Sequence, residues 1–181
     1  MGNLHVHEFM TLDGVIDDPS WTAEYGWEHK MGERIRAITD RSNGILLGRK
    51  TYEMFEPAWS TRTAEDDDLA PFFNDTTKYV VSGTLTNPTW RNTEVIGAYD
   101  PDRIRRLKDD VGDLFVGGSI TLARAMLADG LVDELHLCVY PLTRSTGPRL
   151  FAEGAPPAKL TLAAADSYDN GVLYLNYRSQ S

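Results

Sequence analysis

The chain has 181 residues, 41% of them hydrophobic, enough material for a sizeable core and the basis for expecting a single domain over 1–181. A formal net charge of −9 argues against a nucleic-acid or anionic-membrane surface, and neither a run of about eighteen apolar residues nor a basic-then-apolar leader is present, so a cytoplasmic protein is expected. The single cysteine, Cys138, has no disulfide partner and the four histidines show no metal-binding spacing, so no metal is expected either.

Leu4 to Met10 alternates and predicts a first strand, which runs into Thr11-Leu12-Asp13-Gly14-Val15-Ile16-Asp17-Asp18-Pro19-Ser20, a loop long enough to cover a site. Trp21, Tyr25 and Trp27 follow, either as a packing cluster or as a wall on which a ligand stacks. From Glu28 to Arg41 the spacing of Met31, Ile35 and Ile38 predicts an amphipathic helix, ended by Asn43-Gly44. Ile45-Leu46-Leu47 is a short apolar strand, and Gly48-Arg49-Lys50-Thr51 turns it into a second helix. Two cations and a hydroxyl at that turn are either a phosphate-holding set or a solvated pair at a helix start.

Glu56 to Asp75, with two prolines and the run Glu65-Asp66-Asp67-Asp68, is expected to be a mobile acidic loop with a short helical piece at most and no function. Lys78-Tyr79-Val80-Val81 is a strand stopping at Ser82-Gly83-Thr84, and Thr93 to Ala98 is another. Asp100-Pro101 caps a helix through Lys108.

The stretch Asp113 to Leu127 reads as strand, glycine turn and helix, because an apolar run stops at Gly117-Gly118 and resumes with helical spacing at Ile120, Leu122, Ala123, Met126 and Leu127. Glycines allow close backbone approach, and the first N–H groups of a helix are unpaired donors at its positive end, so the turn suits a phosphate; a plain turn with Ser119 as N-cap is the alternative. After Asp129-Gly130, Leu131 to Tyr140 supplies a further strand and completes a βαβ unit. Lys159 to Ala165 and Val172 to Tyr177, joined by Asp169-Asn170-Gly171, predict a closing antiparallel hairpin.

Strands and helices in alternation imply an α/β fold: a mixed, mostly parallel sheet with helices on both faces. Ligands bind such sheets at the carboxyl ends of the strands, where the three polar junctions after Leu47, Val81 and Val116 would gather.

Several pieces together resemble the dihydrofolate reductase-like fold, and more closely its branch holding the reductase domain of bacterial riboflavin biosynthesis, the RibD C-terminal-like family. They are Thr11-Leu12-Asp13-Gly14-Val15-Ile16, Leu47-Gly48-Arg49-Lys50-Thr51, Tyr79-Val80-Val81-Ser82, Val116-Gly117-Gly118-Ser119-Ile120-Thr121-Leu122, Gly130-Leu131-Val132-Asp133-Glu134-Leu135 and Gly147-Pro148-Arg149-Leu150-Phe151. The resemblance implies a three-layer α/β/α domain, a homodimer and NADPH as cofactor. Arg49, Lys50 and Thr51 would then face the 2′-phosphate and pyrophosphate, Ser82 and Gly83 the adenosine end, Val116 to Thr121 the pyrophosphate, and the Asp13-Gly14-Val15-Ile16 loop the nicotinamide.

On that footing the expected activity is hydride transfer to a C=N or C=O carbon of a small heterocyclic or sugar-derived substrate, as in the riboflavin-pathway reductase of 5-amino-6-(5-phosphoribosylamino)uracil. Asp13 and Glu33 are the candidate proton donors, and Trp21, Cys138 and Tyr140 the candidate substrate contacts. Gly32 stands where folate reductases carry the pterin-binding carboxylate, and Cys138 where many carry a threonine. A non-catalytic NADPH-binding protein and a folate reductase with an altered pterin site therefore remain the alternatives.

Overall fold

The computed structural model describes residues 1–155 and 157–180. Among the described residues, eight strands form one sheet: β1 (Leu4–Thr11), β2 (Gly44–Gly48), β3 (Thr77–Val81), β4 (Thr93–Val95), β5 (Leu114–Gly117), β6 (Glu134–Tyr140), β7 (Leu160–Ser167) and β8 (Leu173–Ser179). Their order across the sheet is β4-β3-β2-β5-β1-β6-β8-β7. The first six are mutually parallel where they pair, and β8 returns antiparallel against β6, with β7 on its far edge.

Five helices among the described residues connect them: α1 (His29–Thr39), α2 (Arg49–Trp59), α3 (Ala70–Asp75), α4 (Pro101–Val111) and α5 (Ile120–Ala128), with a 3-10 turn at Pro19–Tyr25. The strand alternation sends Leu4, Val6, Leu46, Val116, Leu135 and Leu137 to one side, where they pack with Ile104 of α4 and Leu122 and Met126 of α5. The opposite side carries two clusters. Ile38, Tyr52 and Phe73 from α1, α2 and α3 meet Ile45, Leu47 and Phe115, while Met31 and Trp21 meet Cys138, Tyr140 and Tyr174. Helices thus cover both faces, and among the described residues no helix is long and apolar enough to cross a membrane.

Local chemistry sets the ends of these elements. Asp100 accepts the Asp102 N–H at 3.0 Å, Pro101 fills the first helical position of α4, and Gly112 leaves it at a φ of 97°. Lys78, fully buried on β3, donates from Nζ to the Phe73 and Thr76 carbonyls at 2.8 and 2.9 Å and so satisfies the end of α3.

Three expectations are corrected. The expected strand Thr93–Ala98 shortens to Thr93–Val95, because Gly97, at a φ of 80°, bends away to meet Ser82 in a single bridge. The acidic stretch Glu56–Asp75 is structured: α2 runs past Pro57 to Trp59, and α3 occupies Ala70–Asp75. Ser119 is no side-chain N-cap; its backbone is left-handed (φ 69°) and its hydroxyl accepts the Gly48 N–H at 2.9 Å. That bond ties the junction after β2 to the junction after β5.

Candidate active site

A cavity of about 960 Å³ opens on the α1–α2 side of the sheet, at the carboxyl ends of β1 and β5. Its position follows from the ladder. The pairing of β1 with β5 ends at His7 opposite Gly117, whereas β1 continues beside β6 as far as Thr11 opposite Tyr140. Beyond His7 the two strands part, β5 turning through Gly117-Gly118 into α5. The crevice left between them is the switch point at which open α/β sheets bind ligands.

The walls come from several elements. His7, Glu8 and Phe9 belong to β1, Phe115 to β5, Gly32, Glu33 and Arg36 to α1, and Met54, Phe55 and Trp59 to α2. Trp27, itself 56% exposed, closes one side, and Arg62, Asp67, Asp68 and Leu69 close another. Arg36 pairs with Asp68 across the mouth, joining α1 to the stretch that the sequence suggested was functionless.

The glycine turn has the shape a ligand needs. Gly118 has a φ of 64°, and a Cβ there would lie 3.5 Å from Thr51 at the start of α2, so the two helix starts converge. The α5 ladder begins with the Ala123 N–H to Ser119 carbonyl bond at 2.8 Å, leaving the earlier amides of α5 turned toward the strand ends. Arg49 and Lys50 lie beside this junction at the start of α2, outside the cavity wall, with Arg49 3.6 Å from Glu53. Ser82 turns its hydroxyl to the Thr84 and Leu85 amides at 3.1 and 2.9 Å, next to Gly83 at the end of β3.

The two expected proton donors are placed very differently. Asp13 does not line the cavity. Its carboxylate accepts from the Thr11 hydroxyl at 2.6 Å and from the Ser145 and Arg144 amides at 2.8 and 3.2 Å, and these bonds hold its pKa down at about 2. Such a group fastens the loop. Val15 bridges to Arg149, Leu150 N–H reaches the Gly14 carbonyl, and Ile16 N–H reaches the Pro148 carbonyl, so the 12–16 segment is stitched to 148–150 with Val15 and Ile16 buried. Glu33 does line the cavity, at its rim, paired with His29 at 3.2 Å.

The expected substrate contacts do not line this cavity. Trp21, Cys138 and Tyr140 are buried in one cluster off the cavity; Trp21 and Tyr25 meet the Tyr140 ring edge-on at 5.1 and 5.4 Å, and burial pushes the Cys138 thiol up to about 12. A strand's two-residue period marks a face but not whether a helix covers it, and here the 3-10 turn and α1 do.

Sequence reasoning missed Glu8. It is 3% exposed, lines the cavity, and its Oε1 is buried without a hydrogen-bond partner among the described residues; burial alone raises its carboxyl to about 8. The available signal was a charge in the middle of a strand that a parallel sheet buries on both faces. Also missed was the gathering of His5, Glu134 and His136, whose ligand atoms lie within 4.8 Å of one another. Register produces it, since His5 stands opposite Glu134 and His7 opposite His136. The Arg41 guanidinium, 2.7 Å from Glu134 Oε2, takes the place a cation would hold and keeps Glu134 ionised despite burial, while Arg178 lies 3.2 Å from its other oxygen.

The RibD C-terminal domain family matches over residues 3–174. The chain belongs to that family. No curated protein sequence matches it. Among solved structures, a protein of Shewanella sp. PV-4 assigned to riboflavin biosynthesis superposes with a TM-score of 0.81 at 18% identity, covering 99% of each chain. A pyrimidine reductase-like protein of Corynebacterium diphtheriae gives 0.67 at 14% identity, covering 99% of this chain and 92% of that one. The deaminase/5-amino-6-(5-phosphoribosylamino)uracil reductase of Thermotoga maritima gives 0.70 at 15% identity, and the present chain, covered at 99%, spans 57% of it. At these identities the likeness establishes a shared fold: the RibD C-terminal domain is a dihydrofolate reductase-like α/β domain, and the mixed sheet with its antiparallel end belongs to that type.

Proposed function

We propose that the chain is an NADPH-dependent reductase of the riboflavin-pathway type, acting on a C=N or C=O carbon of a small heterocyclic or sugar-derived substrate. The observation that carries this reading is the cavity itself, which opens where β1 and β5 part and is edged by the Gly117-Gly118 turn. Its volume lies at the upper end of the range for small-molecule sites, of order 300–1,000 Å³. Membership of the RibD C-terminal domain family, and the reductase named in the Thermotoga protein, support the same reading.

When bound, NADPH supplies the hydride. The residues present fit it: the turn at Gly117-Gly118 and the amides at the start of α5 meet the pyrophosphate, and Arg49, Lys50 and Thr51 at the start of α2 meet the phosphates. Ser82 and Gly83 lie on the same sheet edge, toward the adenosine end. Phe9, Phe115 and Trp27 provide apolar walls that exclude water from the reacting carbon, and Glu33 at the rim orients a polar substrate. The chain acts as a homodimer, which sedimentation of the purified protein tests.

Isothermal titration with NADPH and NADH, repeated on Arg49→Ala, tests the cofactor. NADPH binds more tightly than NADH, and the substitution weakens NADPH by about 1.5–3 kcal/mol, the size of a charge-assisted phosphate contact. Turnover against pteridines, pyrimidine ribosyl phosphates and small carbonyls then tests the chemistry. NADPH binding without oxidation across that panel replaces the enzyme reading with that of a cofactor-binding protein, and binding of neither dinucleotide overturns both.

A further inference from the structure

A second constellation lies under α1 at the amino ends of β1 and β6, at the end of the sheet away from the cavity, and none of its residues lines that cavity. Three acceptors converge there on one nitrogen. Arg41 Nη2 lies 2.7 Å from Glu134 Oε2, 3.4 Å from His5 Nδ1 and 3.5 Å from His136 Nε2. A guanidinium Nη carries two protons, so it cannot serve three acceptors at once. Asn176, buried on β8 opposite His136, adds another: its Nδ2 is 3.4 Å from Glu134 Oε2, and its Oδ1 has no hydrogen-bond partner among the described residues. The site holds more acceptors than donors, an imbalance that a cation with several open coordination positions removes.

Both imidazoles are held from behind. His5 Nε2 is 3.2 Å from Asp113 Oδ2, and His136 Nδ1 is 2.7 Å from the Tyr174 hydroxyl. Their other nitrogens therefore face the centre, the orientation that outer carboxylates and hydroxyls impose on metal-ligating histidines. Glu134 Oε2 lies 3.5 Å from His5 Nδ1 and 3.2 Å from His136 Nε2, and the three atoms fall within 4.8 Å of one another, so side-chain shifts alone bring them around one ion. Two imidazoles and a carboxylate suit a zinc-type metal, whereas magnesium and calcium take oxygen ligands. The entry path is Arg41 itself, whose side chain is 43% exposed although the three ligands are buried.

We propose that His5, Glu134 and His136 form a site for a zinc-type divalent cation, and that Arg41 fills the site when no metal is bound. The inference is independent of the reductase reading. The hydrated ion exchanges three waters for two imidazole nitrogens and one carboxylate oxygen, and Arg41 moves out to solvent with its charge. Nothing is oxidised or reduced. The ion ties β1 to β6 where the guanidinium tied both to the end of α1.

Zn²⁺ and Co²⁺ are titrated calorimetrically into chelator-treated wild type and variants, with the visible absorption of Co²⁺ reporting its ligands. The wild type binds a single equivalent of either ion and ignores Mg²⁺. Arg41→Ala tightens Zn²⁺ by about ten- to a hundredfold, the equivalent of one charge-assisted bond no longer competing. Arg178→Ala takes a charge from the same carboxylate without emptying the centre, and tightens Zn²⁺ less. His5→Gln and His136→Gln each weaken it by about tenfold or more, and His29→Ala, which removes the exposed His29–Glu33 pair, leaves it unchanged. If the two buried substitutions unfold the chain, Co²⁺-shifted ring resonances in the wild type decide: those of His5 and His136 move, out of the four histidines. Failure of the wild type to bind Zn²⁺ overturns the proposal even where Arg41→Ala binds it, since Arg41 is then a permanent occupant. Equal tightening by Arg41→Ala and Arg178→Ala overturns it as well, and so does loss of binding on His29→Ala.

Discussion

Two carboxylates show how environment, rather than residue type, assigns roles. Asp13 is surrounded by donors that hold it ionised, with a pKa near 2, whereas Glu8 is surrounded by hydrocarbon that raises it to about 8. A motif drew attention to Asp13, and its Asp-Gly turn was legible as a turn. What its carboxylate binds depends on the 142–150 segment, more than a hundred residues away, which no local pattern reveals. Glu8 carries a stability consequence of definite sign. Its folded pKa lies above the ordinary 4.5, so between pH 4.5 and 8 the folded state holds more proton than the unfolded state, and stability falls as pH rises through that window. Glu8→Gln has no such penalty. Urea unfolding at pH 5, 7 and 9 should show the variant gaining on the wild type by about 1–3 kcal/mol across the series, discounted from about 1.4 kcal/mol per pKa unit. A constant difference between the two proteins would sink this account.

At the scale of elements, the junctions of β2 with α2 and of β5 with α5 act as one piece, because the Ser119 hydroxyl receives the Gly48 N–H. The glycine stop and the helix restart were readable in the chain, and so were the strands and helices that frame them. The contact between the two junctions was not, since it requires β2 and β5 to be sheet neighbours although α2, α3, β3, β4 and α4 intervene in sequence. The substitutions at Ser119 separate two contributions. Ser119→Ala loses the hydrogen bond and keeps a side chain at a φ of 69°, where a non-glycine residue costs of order 1 kcal/mol. Ser119→Gly loses the same bond and relieves the backbone. Thermal unfolding should therefore place the alanine variant about 1 kcal/mol below the glycine variant, which stays close to the wild type because the relieved strain offsets the lost bond. An alanine variant as stable as the glycine one would mean that the left-handed turn carries no strain.

Over the whole molecule, the line of buried polar groups under α1 sets the response to acid. His5, His7 and His136 are all held neutral, chiefly by burial, with His7 lowered to about 4. In the unfolded chain each takes up a proton near 6.5. The unfolded state therefore binds more protons than the folded state below that pH, and stability is lost as the solution is acidified. Glu134, kept ionised by Arg41, adds a second loss below its ordinary value of 4.5. Glu8 works the other way, since acidification through its raised pKa favours the folded form. The net expectation is a fall of about 1–3 kcal/mol between pH 6.5 and 5, an appreciable part of the 5–15 kcal/mol typical of a domain. In Glu8→Gln the fall should be steeper, because the opposing carboxyl is gone. Chemical denaturation followed by tryptophan fluorescence across pH 7 to 4.5, on both proteins, measures the two slopes. Equal slopes would show that Glu8 does not oppose the histidines, and a flat wild-type profile would show that the three imidazoles are not held neutral by the fold.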